Sequence, residues 1–386
     1  MAATAAFGLE AVVKREVEGL GLKVLSTENG RILFQGTEAD LARANLWLRT
    51  ADRIQVLMGE FTALTFDELF EQTRSIPWEQ WIPEEGIFPV EGKSVKSVLF
   101  SVPDCQAIVK KAVASRLGEK YGVSWLPESS GTFRITVGIL KDRVSLTLDT
   151  SGAGLHKRGY RDFNSAAPLK ETLAAALIRL SYWEPDRILV DPFCGSGTIV
   201  IEAALIGMNM APGLNRSFAA EDWPRVPREI WTGLRQEARD LVDWDRPMEI
   251  IGGDVDPEVL KLAGRHVRQS GTEDSIRLEN RDFRDLVYPG DYGVIVTNPP
   301  YGERMGELAE VEALYRDMGN LIRSLSTWST YVITSHRGFE RLAGRDADRK
   351  RKLYNGRIQC NYYQYYGPRP PRNSSGEEGI RREDNQ

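Results

Sequence analysis

Cysteine and histidine are both scarce in this chain of 386 residues, with three of each. Cys105, Cys194 and Cys360 stand far apart with no paired spacing, and His156, His266 and His336 are equally scattered. This pattern excludes a disulfide framework and argues against a zinc cluster or a histidine-based metal site. An excess of positive charge is also missing. The formal net charge is −5, so a surface for nucleic acid would have to be a local patch. Nor is there a long apolar run. The N-terminal stretch MAATAAFGLEAVVKREVEGLG becomes charged after about ten residues, which fits neither a signal peptide nor a membrane span. A reduced, cytoplasmic setting without membrane or metal is the expectation.

What is present is ordinary for a globular protein: 41% hydrophobic and 27% charged residues, in a length that accommodates two or three domains. FGLEAVVKREVEGLGL has helical spacing and ends at glycine. KVLSTENGRILFQG reads as two strands around an Asn-Gly turn. A helix leading into a strand follows, then a helix stopped by Pro77. Residues 95–150 hold VKSVLFSV, the helix CQAIVKKAVASRLGEKYG, and two alternating strands around a turn at Lys141-Asp142. The first 150 residues therefore predict a small α+β region. Residues 152–168 lack periodicity and read as a linker. From Leu169 onward, strands at 187–191, 248–254, 275–280, 292–298 and 329–335 alternate with helices, which predicts a doubly wound parallel sheet. The polar end RNSSGEEGIRREDNQ predicts a disordered tail.

Chemistry concentrates at the ends of the strands. LVDPFCGSGTIVIEAAL is a strand, a glycine-rich turn and a helix. Gly195 and Gly197 permit a sharp turn and close approach of a ligand, and the helix from Thr198 aims its first amides at it. Asp191, Pro192 and Phe193 complete this candidate cofactor loop. A carboxylate at position 191 repels phosphate and attracts an ammonium group, which suits a cofactor bearing an amino acid. The second strand ends in GGDVDP, where Asp254 is placed to accept both ribose hydroxyls of an adenosine. Asp256 reads as a helix cap ahead of Pro257. The wide gap between Asp191 and Asp254 requires an insertion at about 207–247, since a simple dinucleotide fold spaces these acids by about 20 residues. In NRDF, Asp282 is an acceptor for an adenine amino group and Phe283 a cover for the ring. Finally, TNPPYGER ends a buried strand with a rigid turn displaying one amide, Asn298, and one ring, Tyr301.

Four such sites at successive strand ends resemble the class I S-adenosylmethionine-dependent methyltransferases, and NPPY matches the branch that methylates exocyclic base nitrogens. The match spans about 165–366. With the N-terminal half, GLHKRGYR and APLKETLAAALI, the chain resembles the THUMP-domain RNA guanine-N2 methyltransferases, most of all the bacterial 23S rRNA enzymes. The resemblance implies a ferredoxin-like unit at 1–50, a THUMP RNA-binding domain at 51–155, a linker at 156–168, a Rossmann-like methyltransferase domain at 169–370 and a tail at 371–386.

The mechanism this implies uses Asn298, Pro299, Pro300 and Tyr301. The Asn298 side-chain oxygen and the Pro299 carbonyl accept from the target amine, and the two prolines hold them rigid. The Tyr301 ring stacks on a base taken out of its helix, so the ring rather than the hydroxyl is the expected working part. Asn298 also borders the cofactor. Two basic runs are candidate RNA contacts: Lys157, Arg158 and Arg161 in HKRGYR, and Lys350, Arg351 and Lys352, with the alternative that the second run is a solvated loop. The tyrosines at 362–366 alternate like a strand, with half of them expected in the core. The implied reaction is methylation of guanine N2 in RNA, with 23S rRNA first, and with tRNA guanine, DNA adenine N6 and a catalytically silent ribosome-assembly factor as alternatives.

Overall fold

The computed structural model describes residues 1–161, 169–302 and 308–371. The tail expected from residue 371 and part of the expected linker therefore lie outside the described residues.

The first 149 residues build one sheet. Its strands are β1 (Ala2–Ala5), β2 (Lys23–Glu28), β3 (Arg31–Gln35), β4 (Ala51–Thr62), then β6 (Val90–Val95), β8 (Ile135–Leu140) and β9 (Arg143–Asp149), with a separate small pair, β5 (Gly86–Ile87) and β7 (Ser130–Thr132). The order across the sheet is β2-β3-β1-β4-β9-β8-β6. Four helices accompany it: α1 (Glu10–Gly19), α2 (Glu38–Trp47), α3 (Phe66–Ser75) and α4 (Val102–Tyr121). Local chemistry fixes their ends. Thr37 and Asp40 form a capping box on α2, as Thr65 and Glu68 do on α3. The β8–β9 turn puts both Lys141 and Asp142 at positive φ, the geometry that matches the twist of a tight hairpin. Strand β6 lies before VKSVLFSV rather than within it, because Lys96 at positive φ turns the chain away. The strand β4 pairs with β1 on one side and β9 on the other, so a division at residue 50 or 51 falls at the start of a strand shared by both units.

The second sheet contains β10 (Leu189–Asp191), β11 (Ile250–Asp254), β12 (Ile276–Asn280), β13 (Val294–Thr297), β14 (Ser329–Thr334), β15 (Arg349–Asn355) and β16 (Ile358–Tyr365). Its order is β12-β11-β10-β13-β14-β16-β15. The first five strands are parallel, and the β15–β16 hairpin joins antiparallel beside β14. This is the doubly wound sheet that the alternating pattern predicts. The helices are α5 (Glu171–Leu180), α6 (Thr198–Gly207), α7 (Arg228–Asp240), α8 (Pro257–Ser270), α9 (Leu308–Ser324) and α10 (Phe339–Ala343). Asp256 caps α8 through the amides of Glu258 and Val259, with Pro257 in first position as expected. Tyr362, Tyr363 and Tyr365 are all fully buried, not half of them. Strand β16 is interior to the sheet, and an interior strand is covered on both faces.

The insertion between α6 and β11 packs away from its own domain. Phe218, Trp223, Trp231 and Leu234 belong to the core of the N-terminal region. Trp223 stacks on Phe133 at 4.9 Å and donates its indole N–H to the Thr132 carbonyl at 3.0 Å.

The described part of the expected linker is not a loose spacer. Leu155, Arg158 and Tyr160 are buried. Arg158 pairs with Glu202 of α6 at 3.2 Å and also donates to the carbonyls of Leu155 and Arg49.

Candidate active site

The carboxyl ends of β10, β11, β12 and β13 face a cavity of about 750 Å³. Asp191, Pro192, Phe193, Gly195, Thr198, Asp254, Asp282, Phe283, Asn298, Pro299, Pro300 and Tyr301 all line it. Gly197 does not. It caps α6 in the left-handed region, and a Cβ there would meet the Cβ of Ala263 at 3.4 Å. Its task is therefore the turn and the approach of α6 to α8, not ligand contact. Gly195 is also left-handed, and open space surrounds the place a Cβ would take.

Among the described residues, three carboxylates and no lysine or arginine border this cavity. Asp191 is fully buried and accepts from the Thr297 hydroxyl at 2.6 Å and the Phe193 amide at 3.2 Å. Burial pushes its carboxyl up to about 7, against the pull of these two hydrogen bonds. Asp254 accepts from the amides of Gly195 at 2.9 Å and Asp256 at 3.0 Å, which points it into the turn. Asp282 is partly engaged by the amide and guanidinium of Arg284. Phe283 is buried, with Phe193 against its ring at 5.0 Å and Arg284 over it at 4.8 Å. An acid-lined cavity whose described walls carry no lysine or arginine disfavours polyphosphates and fits S-adenosylmethionine, which carries a sulfonium and an ammonium.

The turn after β13 is held from two sides. Tyr301 donates its hydroxyl to the Asn298 side-chain oxygen at 2.5 Å, and the Cys360 thiol contacts that hydroxyl at 3.7 Å. Burial raises the Tyr301 pKa well above its ordinary 10.0, so the hydroxyl stays protonated and remains a donor. Tyr315 donates to the Pro300 carbonyl at 2.6 Å and is itself 2.8 Å from the Thr334 hydroxyl. The hydroxyl, which the sequence reading left without a part, holds the Asn298 side chain by this hydrogen bond. The Pro300 carbonyl is occupied, which leaves that of Pro299 as the backbone acceptor.

The first basic run is also corrected. Arg158 is buried in its ion pair with Glu202, and Arg161 donates to Glu171 at 3.0 Å, to the Ser196 and Thr198 hydroxyls at 2.9 and 2.6 Å, and to the Leu169 carbonyl. These arginines lock the chain onto α5, α6 and the cofactor loop. Arg158 is buried, and the Arg161 side chain is largely enclosed by these contacts. Lys157 is exposed. The second run is not a loop but the edge strand β15. There Lys350 is paired with Glu340 at 2.6 Å, Arg351 is half-buried, and Lys352 is exposed.

Sequence reasoning missed the wall supplied by the hairpin, Asn355 and Ile358, and the brace made by Tyr315 and Thr334. The Asn355-Gly356 pair, a tight-turn signal between two basic and aromatic runs, marks the hairpin. Nothing local marks the brace, because Tyr315 and Thr334 lie on separate elements.

Three families match successive parts of the chain: the RlmL ferredoxin-like domain over residues 1–55, the THUMP domain over 63–149 and the UPF0020 family of RMKL-like methyltransferase domains over 158–364. The chain is 50% identical over 373 residues to "Putative RNA methyltransferase YpsC" of Bacillus subtilis, covering 96% of this chain and 97% of that protein. It is 35% identical over 372 residues to "Ribosomal RNA large subunit methyltransferase K/L" of Syntrophotalea carbinolica, covering 93% of this chain and 52% of that one. It thus spans about half the length of that second relative. The solved structure of SMU.472, "a putative methyltransferase complexed with SAH", superimposes with a TM-score of 0.91 at 45% identity, covering 96% of this chain and 98% of that one.

Proposed function

Because the chain belongs to the UPF0020 family of RMKL-like methyltransferases, we propose that it transfers a methyl group from S-adenosylmethionine to the exocyclic N2 of a guanine in RNA, with 23S rRNA as the substrate. One observation carries the reading: the acid-lined cavity, with no lysine or arginine among its described walls, and the Asn298 amide open into the same space. When bound, the cofactor supplies an electrophilic methyl group on a sulfonium. Asp191 takes its ammonium and Asp254 its ribose hydroxyls.

An exocyclic amine is a weak nucleophile because its lone pair is delocalised into the ring. The Asn298 oxygen and the Pro299 carbonyl accept from its two N–H groups and favour a pyramidal nitrogen whose lone pair faces the methyl. The Tyr301 hydroxyl holds the amide in place, and Tyr315 holds the turn. This is preorganised electrostatics plus positioning. No strong base is needed, because the methylated nitrogen is acidic enough to lose its proton to water.

The test is transfer from labelled cofactor to total RNA and total DNA, followed by nucleoside analysis. Label in N2-methylguanosine from 23S rRNA is the expected result. Label in tRNA alone would move the substrate, and label only in N6-methyladenine of DNA would overturn the reading.

A further inference from the structure

A second cavity, of about 620 Å³, opens where α1, α2, α5 and α7 meet, away from the acid-lined site. Its chemistry is the reverse of the first. Arg15, Arg43, Arg49 and Arg179 line it, with Glu16 and Trp47 among its other walls. Arg43 lies 3.8 Å from Glu237. Arg15 and Arg179 are exposed and form no ion pair among the described residues.

Two of the residues that line this cavity each carry a buried side-chain atom with no partner among the described residues. Arg49 is 3% exposed. Its Nη2 donates to the Met210 carbonyl at 2.7 Å, but its Nη1 has no acceptor among the described residues. Glu16 accepts through Oε2 from the amides of Arg49 and Thr50 and from the Thr50 hydroxyl, while its Oε1 has no donor. The two orphans do not satisfy each other. A buried polar atom left unpaired is costly, so a fitting ligand brings an acceptor to the arginine and a donor to the glutamate. Inorganic phosphate supplies acceptors and at most a P–OH donor on the same small ion. A nucleotide supplies both, with phosphate oxygens for the arginines and ribose or base hydrogens for Glu16, and Trp47 offers a ring face for the base. Burial, and after it the charge of Arg179, pulls the Arg49 guanidinium down to about 10, a strain that a bound anion relieves.

We propose that this cavity is a nucleotide-binding site, taking a phosphate-bearing nucleoside unit at the junction of the two halves. The geometry favours a unit within an RNA chain. Burial first, and then the charges of Arg349 and Arg15, lower the Arg351 guanidinium, so Arg15 at the cavity lies near the cations of β15. That strand ends at Asn355, which lines the acid-lined site. The seat in a chain rests on RNA being the substrate; the nucleotide site itself does not.

The experiment uses the full-length protein and the exposed arginines. Calorimetry with a nucleoside 5′-monophosphate should show binding, tighter than inorganic phosphate, that weakens about tenfold or more in Arg15→Glu/Arg179→Glu, since charge-assisted hydrogen bonds are lost. S-adenosylhomocysteine affinity should be unchanged in that variant. With single-stranded RNA, the slope of log affinity against log salt should fall by roughly 0.7 for each lost contact. Loss in both arms supports a seat for a chain; loss in the mononucleotide arm alone supports a free-nucleotide site. Phosphate binding as tightly as the nucleotide, or neither arm responding to the variant, would overturn the proposal. Arg49→Met, checked for folding by cofactor affinity, should abolish nucleotide binding in the same assay. If RNA methylation fails while nucleotide binding stands, the proposed function falls and this site survives.

Discussion

Asn298 and Tyr301 work as a pair. Under the proposed function the amide touches the target amine only as the methyl moves, so Asn298→Ala should leave S-adenosylmethionine binding intact and lower kcat by about 100-fold or more, the scale for losing one preorganised partner. Because Tyr301 aims that amide through its hydroxyl, Tyr301→Phe should lower kcat several-fold, the equivalent of about 0.5–1.5 kcal/mol for one hydrogen bond, with RNA affinity little changed. Single-turnover kinetics beside calorimetry separates the two effects. Asp191 makes a prediction in pH. Its carboxyl, ordinarily at 3.8, sits at about 7 when folded, so the folded chain holds this proton more tightly than the unfolded one. The contribution to stability is complete below about pH 4 and is lost as pH rises towards 7, a swing of roughly 4 kcal/mol. Asp191→Asn should flatten that part of the stability profile in denaturant melts. The cofactor's ammonium prefers the carboxylate, so affinity should rise through this same range in the parent chain and not in Asp191→Asn.

At the scale of elements, the local signals were the legible ones. Asp256-Pro257 announced the start of α8, and the structure shows the cap. Asp256→Ala should cost about 1 kcal/mol, the usual value of an N-cap, read as a lower melting temperature with unchanged cofactor affinity. Lys141-Asp142 and the alternation around it announced β8 and β9, and the glycine-rich turn announced the start of α6. What the sequence did not disclose was where elements go after they form. Arg158 and Arg161 looked like surface cations because arginines mostly are. Their burial depends on Glu202 and Glu171, residues on helices that only the fold brings near. The tyrosines of β16 alternate as in a half-exposed strand, but helices cover both faces: Tyr362 donates to the Leu177 carbonyl of α5 on one, and Phe339 of α10 lies 5.1 Å from the Tyr363 ring on the other. Tyr315 reached the NPPY turn from a helix begun after it.

For the whole molecule, the decisive contacts cross between the halves. Arg158 joins Glu202 of the second sheet's domain to the Arg49 carbonyl of the first, and Tyr160 donates to the same glutamate at 3.1 Å. Removing one partner of a buried pair strands the other, at roughly 3–5 kcal/mol. Glu202→Gln should therefore lower the denaturation midpoint strongly and split a single unfolding transition into two. Unchanged cooperativity would show that the insertion alone couples the halves.

That insertion has a consequence of its own. Its Trp223 and Trp231 are set in the core of the N-terminal region while its two ends join α6 and β11 of the methyltransferase domain. The first half is therefore not an arm swinging on a tether. It is one jaw of a caliper whose opening is set by packing. An RNA gripped by that jaw presents to the Asn298 turn only a base standing the right distance away. Under the proposed function, the target guanine would be chosen by measuring the fold of the RNA rather than by spelling its sequence.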